Sequence, residues 1–123
     1  MSDNLLEISL ENVEPPEVKL TAPTLFKTSK TWLVVAKNRR VNREWEALVQ
    51  RYPENSCRCY EDLSNAPTTK QTGRVFPLRG KPYKGVWEYE VASGDRVYYI
   101  PYENQLKVFV YYAGKHPKVA PKP

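Results

Sequence analysis

The chain is poor in the residues that build metal centres and disulfide frameworks. Its 123 residues include one histidine, His116, one methionine and two cysteines, Cys57 and Cys59. One histidine excludes a histidine-rich metal site. The cysteines are separated only by Arg58, too close for an ordinary disulfide and not at zinc-site spacing. Both are expected to be reduced thiols. No metal and no cofactor is expected. No apolar run approaches the roughly 18 residues that span a bilayer. No basic segment followed by an apolar stretch opens the sequence, so a signal peptide is not expected and a cytoplasmic location is.

What is present is a modest apolar content and an uneven charge. Hydrophobic residues make up 41% of the chain, enough for one domain with one core. The formal charge is +5. Residues 1–27 carry five acids (Asp3, Glu7, Glu11, Glu14, Glu17) against two lysines, and the remainder stands at +8. Such a domain attracts polyanions: RNA, DNA or an acidic protein segment would each satisfy it.

Residues 1–28 read as an acidic N-terminal extension without stable structure. A short strand over Ile8 to Glu11 is the one regular element it offers, and Pro15-Pro16 interrupts anything longer. Residues 29–123 read as the compact domain. Thr31 to Ala36 is short, apolar and β-branched, as a buried strand is. Asn38 offers an N-cap. Val41, Trp45, Leu48, Val49 and Tyr52 then fall on one face of a helix over Arg39 to Arg51, ended by Pro53. A second helix is predicted from Glu54 to Ser64, with Cys59 and Leu63 on one face. Thr68 to Gly73 is a polar loop.

The rest reads as a β-meander. From Val86 to Val91, Trp87, Tyr89 and Val91 point one way and Glu88 and Glu90 the other. Ala92 to Asp95 is a hairpin turn with Gly94 available for positive φ. Arg96 to Pro101 is the next strand. In the last strand, Leu106, Val108, Val110 and Tyr112 are expected to share a face. Tyr98-Tyr99 and Tyr111-Tyr112 are each expected to split between the two faces. The fold class is α+β, with a strand and two helices packed on an antiparallel meander.

The order of these elements, with Leu63…Ala66-Pro67, Pro77-Leu78-Arg79-Gly80, Gly85-Val86-Trp87-Glu88-Tyr89, Gly94-Asp95-Arg96-Val97-Tyr98-Tyr99 and Val108 to Ala113 followed by Gly114-Lys115-His116, resembles the RelE/ParE superfamily of toxins over residues 31 to 116. Residues 1–28 have no counterpart in it. The resemblance implies a RelE-like fold and a toxin of a type II toxin-antitoxin system. It also implies a cognate acidic antitoxin and, for the nuclease members, metal-independent cleavage of mRNA on the ribosome. Other members poison DNA gyrase without RNA chemistry, so the fold alone does not fix the activity. A non-catalytic module that binds RNA or antitoxin is a third possibility.

Cleavage through the RNA 2′-hydroxyl needs a base, a cation at phosphorus and an acid for the leaving 5′-oxygen. By the resemblance, Arg96 is the cation and His116 the general acid. Their imidazole and guanidinium chemistry suits both roles. The bases used elsewhere in the family are missing: a glutamate site before Pro77-Leu78 holds Phe76, and lysine sites hold Glu88 and Glu90. Those two glutamates are the remaining base candidates, or else partners that hold Arg96. The family's C-terminal tyrosine is also absent. Arg79, Lys81, Lys84 and Lys115 are candidate phosphate contacts, and Tyr98 is the candidate for stacking on a base.

Overall fold

The structure, a computed structural model, describes residues 17–24 and 31–123. The expected Ile8 to Glu11 strand, the Pro15-Pro16 break and the character of residues 1–16 and 25–30 lie outside the described residues. In chain order the elements are β1 (Val18–Lys19), β2 (Leu33–Ala36), α1 (Arg39–Arg51), α2 (Pro53–Asn65), β3 (Val75–Pro77), β4 (Trp87–Ala92), β5 (Asp95–Tyr102) and β6 (Lys107–Lys115). Single 3₁₀ turns occur at Lys81–Tyr83 and Glu103–Gln105.

The strands form one six-stranded mixed sheet in the order β1-β2-β6-β5-β4-β3. β2 and β6 run parallel, and the remaining neighbours run antiparallel. The α+β class holds: β4, β5 and β6 form the expected antiparallel meander, and β1, β2 and β3 extend it into a mixed sheet. The parallel β2–β6 pair needs a crossover, which α1 and α2 belong to. β3 and β1 add short strands at the two edges.

Helix α1 forms where the periodicity places it. Asn38 caps it by accepting from the Val41 amide at 3.0 Å. Val41, Trp45 and Leu48 then stack on its buried face. Pro53 does more than end α1: it opens α2 from the first turn, where its missing N–H costs nothing. Only Tyr52 separates the two helices, so α2 starts one residue before the predicted Glu54.

Residues 17–24 fall in the stretch that composition assigns to an extension, yet they pack on the domain. β1 pairs with β2, and Leu20 is fully buried. The Trp45 indole donates to the Thr21 carbonyl at 2.8 Å, and the Thr21 amide donates to the Asn42 side chain at 3.0 Å. Glu17 pairs with Lys107 at 3.0 Å.

Both helices cover one face of the sheet. Trp45, Leu48, Cys59, Tyr60 and Leu63 meet Val34, Tyr89, Val91, Val97, Tyr99, Val108 and Val110 there. Trp87 lies half-buried at the rim, stacked on Tyr99 with ring centroids 6.4 Å apart. The two cysteines are free and buried. Burial pushes the Cys59 thiol well above its ordinary pKa, and the nearby Asp62 carboxylate adds to this.

Two sequence expectations change for local reasons. The β5–β6 register shifts between Tyr98 and Tyr99, so Tyr98 opposes Tyr112 while Tyr99 opposes Val110. The extra residue is Tyr111, a bulge that reverses the alternation. Tyr111 and Tyr112 therefore both join the cluster away from the helices, and Tyr112 does not share a face with Val108 and Val110. Leu106 leaves that face too: it is an exposed turn residue with φ 48°, before β6 begins. The second change concerns the β4–β5 hairpin, which closes without a positive φ at Gly94. A register shift between Glu90 and Ala92 absorbs the turn instead.

Candidate functional site

The face of the sheet away from the helices carries the charged groups. In β4, Glu88 and Glu90 point to this face. Their cross-strand partners in β5 are Tyr98 and Arg96, which therefore share it. Across β5 in the other direction, Arg96 faces Gly114 of β6. Gly114 has φ 153°, and with no side chain it leaves the β6 flank of Arg96 open. The strand then ends, and the His116 amide donates to the Gly94 carbonyl at 2.9 Å. That bond fastens the segment after β6 beside the β4–β5 turn.

Arg51, in the last turn of α1, reaches Asp95 at 2.9 Å. Asp95 is buried, so this ion pair ties the helix layer to the first residue of β5, next to Arg96. Sequence reading did not single out either residue.

These constraints bring Glu88, Glu90, Arg96 and His116 together. Arg96 Nε donates to Glu88 Oε2 at 3.1 Å, and its Nη2 lies 3.3 Å from Glu90 Oε1. Its Nη1 donates to the carbonyls of Ala92, Ser93 and Asp95 at 2.8, 3.2 and 3.1 Å. Arg96 is only 8% exposed. Its guanidinium is thus turned inward, holding two carboxylates and the backbone of the turn. His116 Nε2 stands 4.0 Å from the same Glu88 Oε2, with its side chain 48% exposed. The guanidinium and the imidazole converge on one carboxylate oxygen, with the imidazole on the solvent side.

Tyr98 lies beside Glu88. Burial pushes its phenol well above the ordinary value, and the Glu88 carboxylate pushes it further. Its ring is buried between Tyr111 and Tyr112, at centroid distances of 6.3 and 5.5 Å. It is the floor of the second cluster, and its burial leaves no open ring face for a base. Arg79, Lys81, Lys84 and Lys115 are exposed. The first three belong to the segment around the 81–83 turn, which packs Leu78 and Tyr83 against the second cluster.

The C-terminal residues lie on this face as well. The Tyr83 hydroxyl donates to the Ala120 carbonyl at 2.8 Å, and the Tyr111 hydroxyl to that of Pro121 at 2.7 Å. Neither contact was legible in the sequence. The bulge that turns Tyr111 outward is a register effect, and proline-rich tails carry no periodicity to read.

Chemically, the cluster presents an accessible imidazole 4.0 Å from a buried carboxylate oxygen, and a guanidinium holds that carboxylate. Such a chain suits proton transfer at the ring. Among the described residues no three or more His, Cys, Asp or Glu side chains are grouped to hold a metal ion. No described helix is long and apolar enough to cross a membrane.

The fold is similar to that of a metal-bound toxin from Helicobacter pylori, with a TM-score of 0.53 and 14% identity, over 70% of this chain and 96% of that one. At that identity the likeness is one of fold. No protein-family model and no curated protein matches the chain.

Proposed function

We propose that the chain is a RelE-like toxin of a type II toxin-antitoxin system that cleaves mRNA on the ribosome, without a metal, and is neutralised by an acidic antitoxin. The observation that carries this reading is the meeting of Arg96, Glu88 and His116 at one end of the sheet. The toxin fold of the structural neighbour supports it, as does the basic character of residues 28–123.

In this reading the RNA 2′-oxygen attacks phosphorus and the bond from phosphorus to the 5′-oxygen breaks. The imidazolium of His116, the most accessible of the clustered groups, gives a proton to the departing 5′-oxygen. Glu90, whose side chain is 38% exposed, takes the 2′-hydroxyl proton. The products are a 2′,3′-cyclic phosphate and a 5′-hydroxyl. Glu88 orients His116. Arg96, expected from the resemblance to meet the phosphate itself, acts instead by fixing both carboxylates. Positive charge at the phosphate then falls to exposed cations such as Lys115, and Arg79, Lys81 and Lys84 guide the strand.

The inward guanidinium also favours a second reading, a non-nuclease inhibitor of the gyrase-poisoning kind. Inducible expression followed by mapping of mRNA 5′ ends separates the two. The nuclease reading expects new 5′ ends inside translated messages, reduced about 10²–10⁴-fold by His116→Ala. Intact messages with DNA-damage signalling would support the inhibitor.

A further inference from the structure

The residues after His116, Pro117 to Pro123, cover the tyrosine-rich side of the sheet, and their hold is thin. Among the described residues two hydrogen bonds fasten them, both donated by tyrosine hydroxyls to tail carbonyls. Ala120 packs on the cluster beneath, while Val119, more apolar and larger, is 73% exposed. A permanent seal would bury the valine, because burial of apolar area is what stabilises such a contact. Three of the seven tail residues are prolines, which lack the N–H that would anchor them as a strand. Beneath the tail lie the rings of Tyr83 and Tyr111, close to the site, since the Tyr111 ring centroid lies 6.3 Å from that of Tyr98, the cross-strand partner of Glu88.

We propose that residues 117–123 are a releasable strap over a face that takes single-stranded RNA. This rests on the nuclease reading above. With the strap lifted, Tyr83 and Tyr111 offer ring faces on which unstacked bases can lie, a contact that tolerates any sequence. With the strap seated, RNA sees only the fraction of molecules whose face is open, and its apparent affinity falls by that fraction.

The test compares three proteins by fluorescence anisotropy with a short, labelled, uridine-rich RNA: the full chain, a chain ending at His116, and the double variant Tyr83→Phe/Tyr111→Phe. The double variant keeps the rings and removes only the two donors, so it remains decisive should the truncated chain fail to fold. The truncated chain is expected to bind about tenfold tighter and the double variant about threefold tighter. The strap is refuted if RNA binds all folded forms equally, or binds the variants more weakly, and the nuclease reading then stands untouched. If no form binds RNA, the strap proposal falls, while the mapping of mRNA 5′ ends decides the ribosome-dependent nuclease reading separately.

Discussion

The two faces of the sheet solve different problems. On the helix side, Trp45, Leu48, Tyr60 and Leu63 meet Val34, Val97 and Val108 in a packed apolar layer. On the other side the buried residues include Glu88 and Arg96, and the apolar part is a smaller group built on Val86, Tyr98 and Tyr111. The first face gains its stability from area removed from water. The second buries charge, which is costly unless paired, and so invests in pairing Arg96 with two carboxylates. A face that holds charged groups at the edge of solvent is poorly built for stability and well built for chemistry.

The largest effect that would test this contrast is Trp45→Ala. The residue is fully buried, and truncation should cost about 4 kcal/mol, a large part of the stability of a domain this size. Urea unfolding followed by circular dichroism would show it. His116→Ala, on the other face and half-exposed, should leave the midpoint within about 0.5 kcal/mol of the parent.

Next in size is Arg96→Met. It leaves Glu88 buried without its guanidinium, at an expected cost of about 3 kcal/mol at neutral pH. Adding Glu88→Gln should restore much of that loss, since the orphaned charge is removed. A double variant as unstable as the single one would mean that the three bonds from Arg96 to the turn carbonyls, rather than the ion pair, hold this face together.

A pH titration compares the faces directly. Burial raises the phenols of Tyr89 and Tyr99 on the helix side, and of Tyr98 and Tyr111 on the other, above the ordinary value of 10.0. The unfolded chain therefore loses these protons first. The stabilisation is complete below pH 10.0 and is lost as pH rises above it, at about 1.4 kcal/mol per pH unit for each phenol. Tyrosinate absorbance should rise together with the loss of near-ultraviolet circular dichroism. Separate, earlier ionisation of two phenols would show that the strap-covered face opens while the helix face stays closed.

How much of this was legible follows from the range of the interactions. Helix α1 was readable to the residue because its signals are local: the Asn38 cap, the spacing of Val41, Trp45 and Leu48, and the proline after Tyr52. The alternation of β4 was readable for the same reason, and it put Glu88 and Glu90 on one face. β1 and β3 were not, since two or three residues carry no periodicity. Nor was the parallel β2–β6 pair, which joins residues far apart in the chain. For the site, the grouping of Arg96, His116, Glu88 and Glu90 was anticipated through the family resemblance. The pairing of Arg96 with those glutamates was one of the two roles left open for them; its bonds to three turn carbonyls were not foreseen, because they depend on the register shift near Val91. The bulge at Tyr111 hid the second face in the same way.

The smallest effect compares one hydroxyl on each face. Tyr99 donates to the Pro67 carbonyl at 2.7 Å in a buried pair, and Tyr111 donates to the Pro121 carbonyl at the same distance in a part-buried one. Tyr99→Phe strands a carbonyl that water does not reach, so it should cost about 1–2 kcal/mol. Tyr111→Phe frees a tail carbonyl that water can satisfy, and should cost about 0.5 kcal/mol. Paired urea titrations resolve the difference if both variants keep the parental slope. Equal losses would mean that the strap seals its face as tightly as the helices seal theirs, and a face so sealed has no room for a strand of RNA.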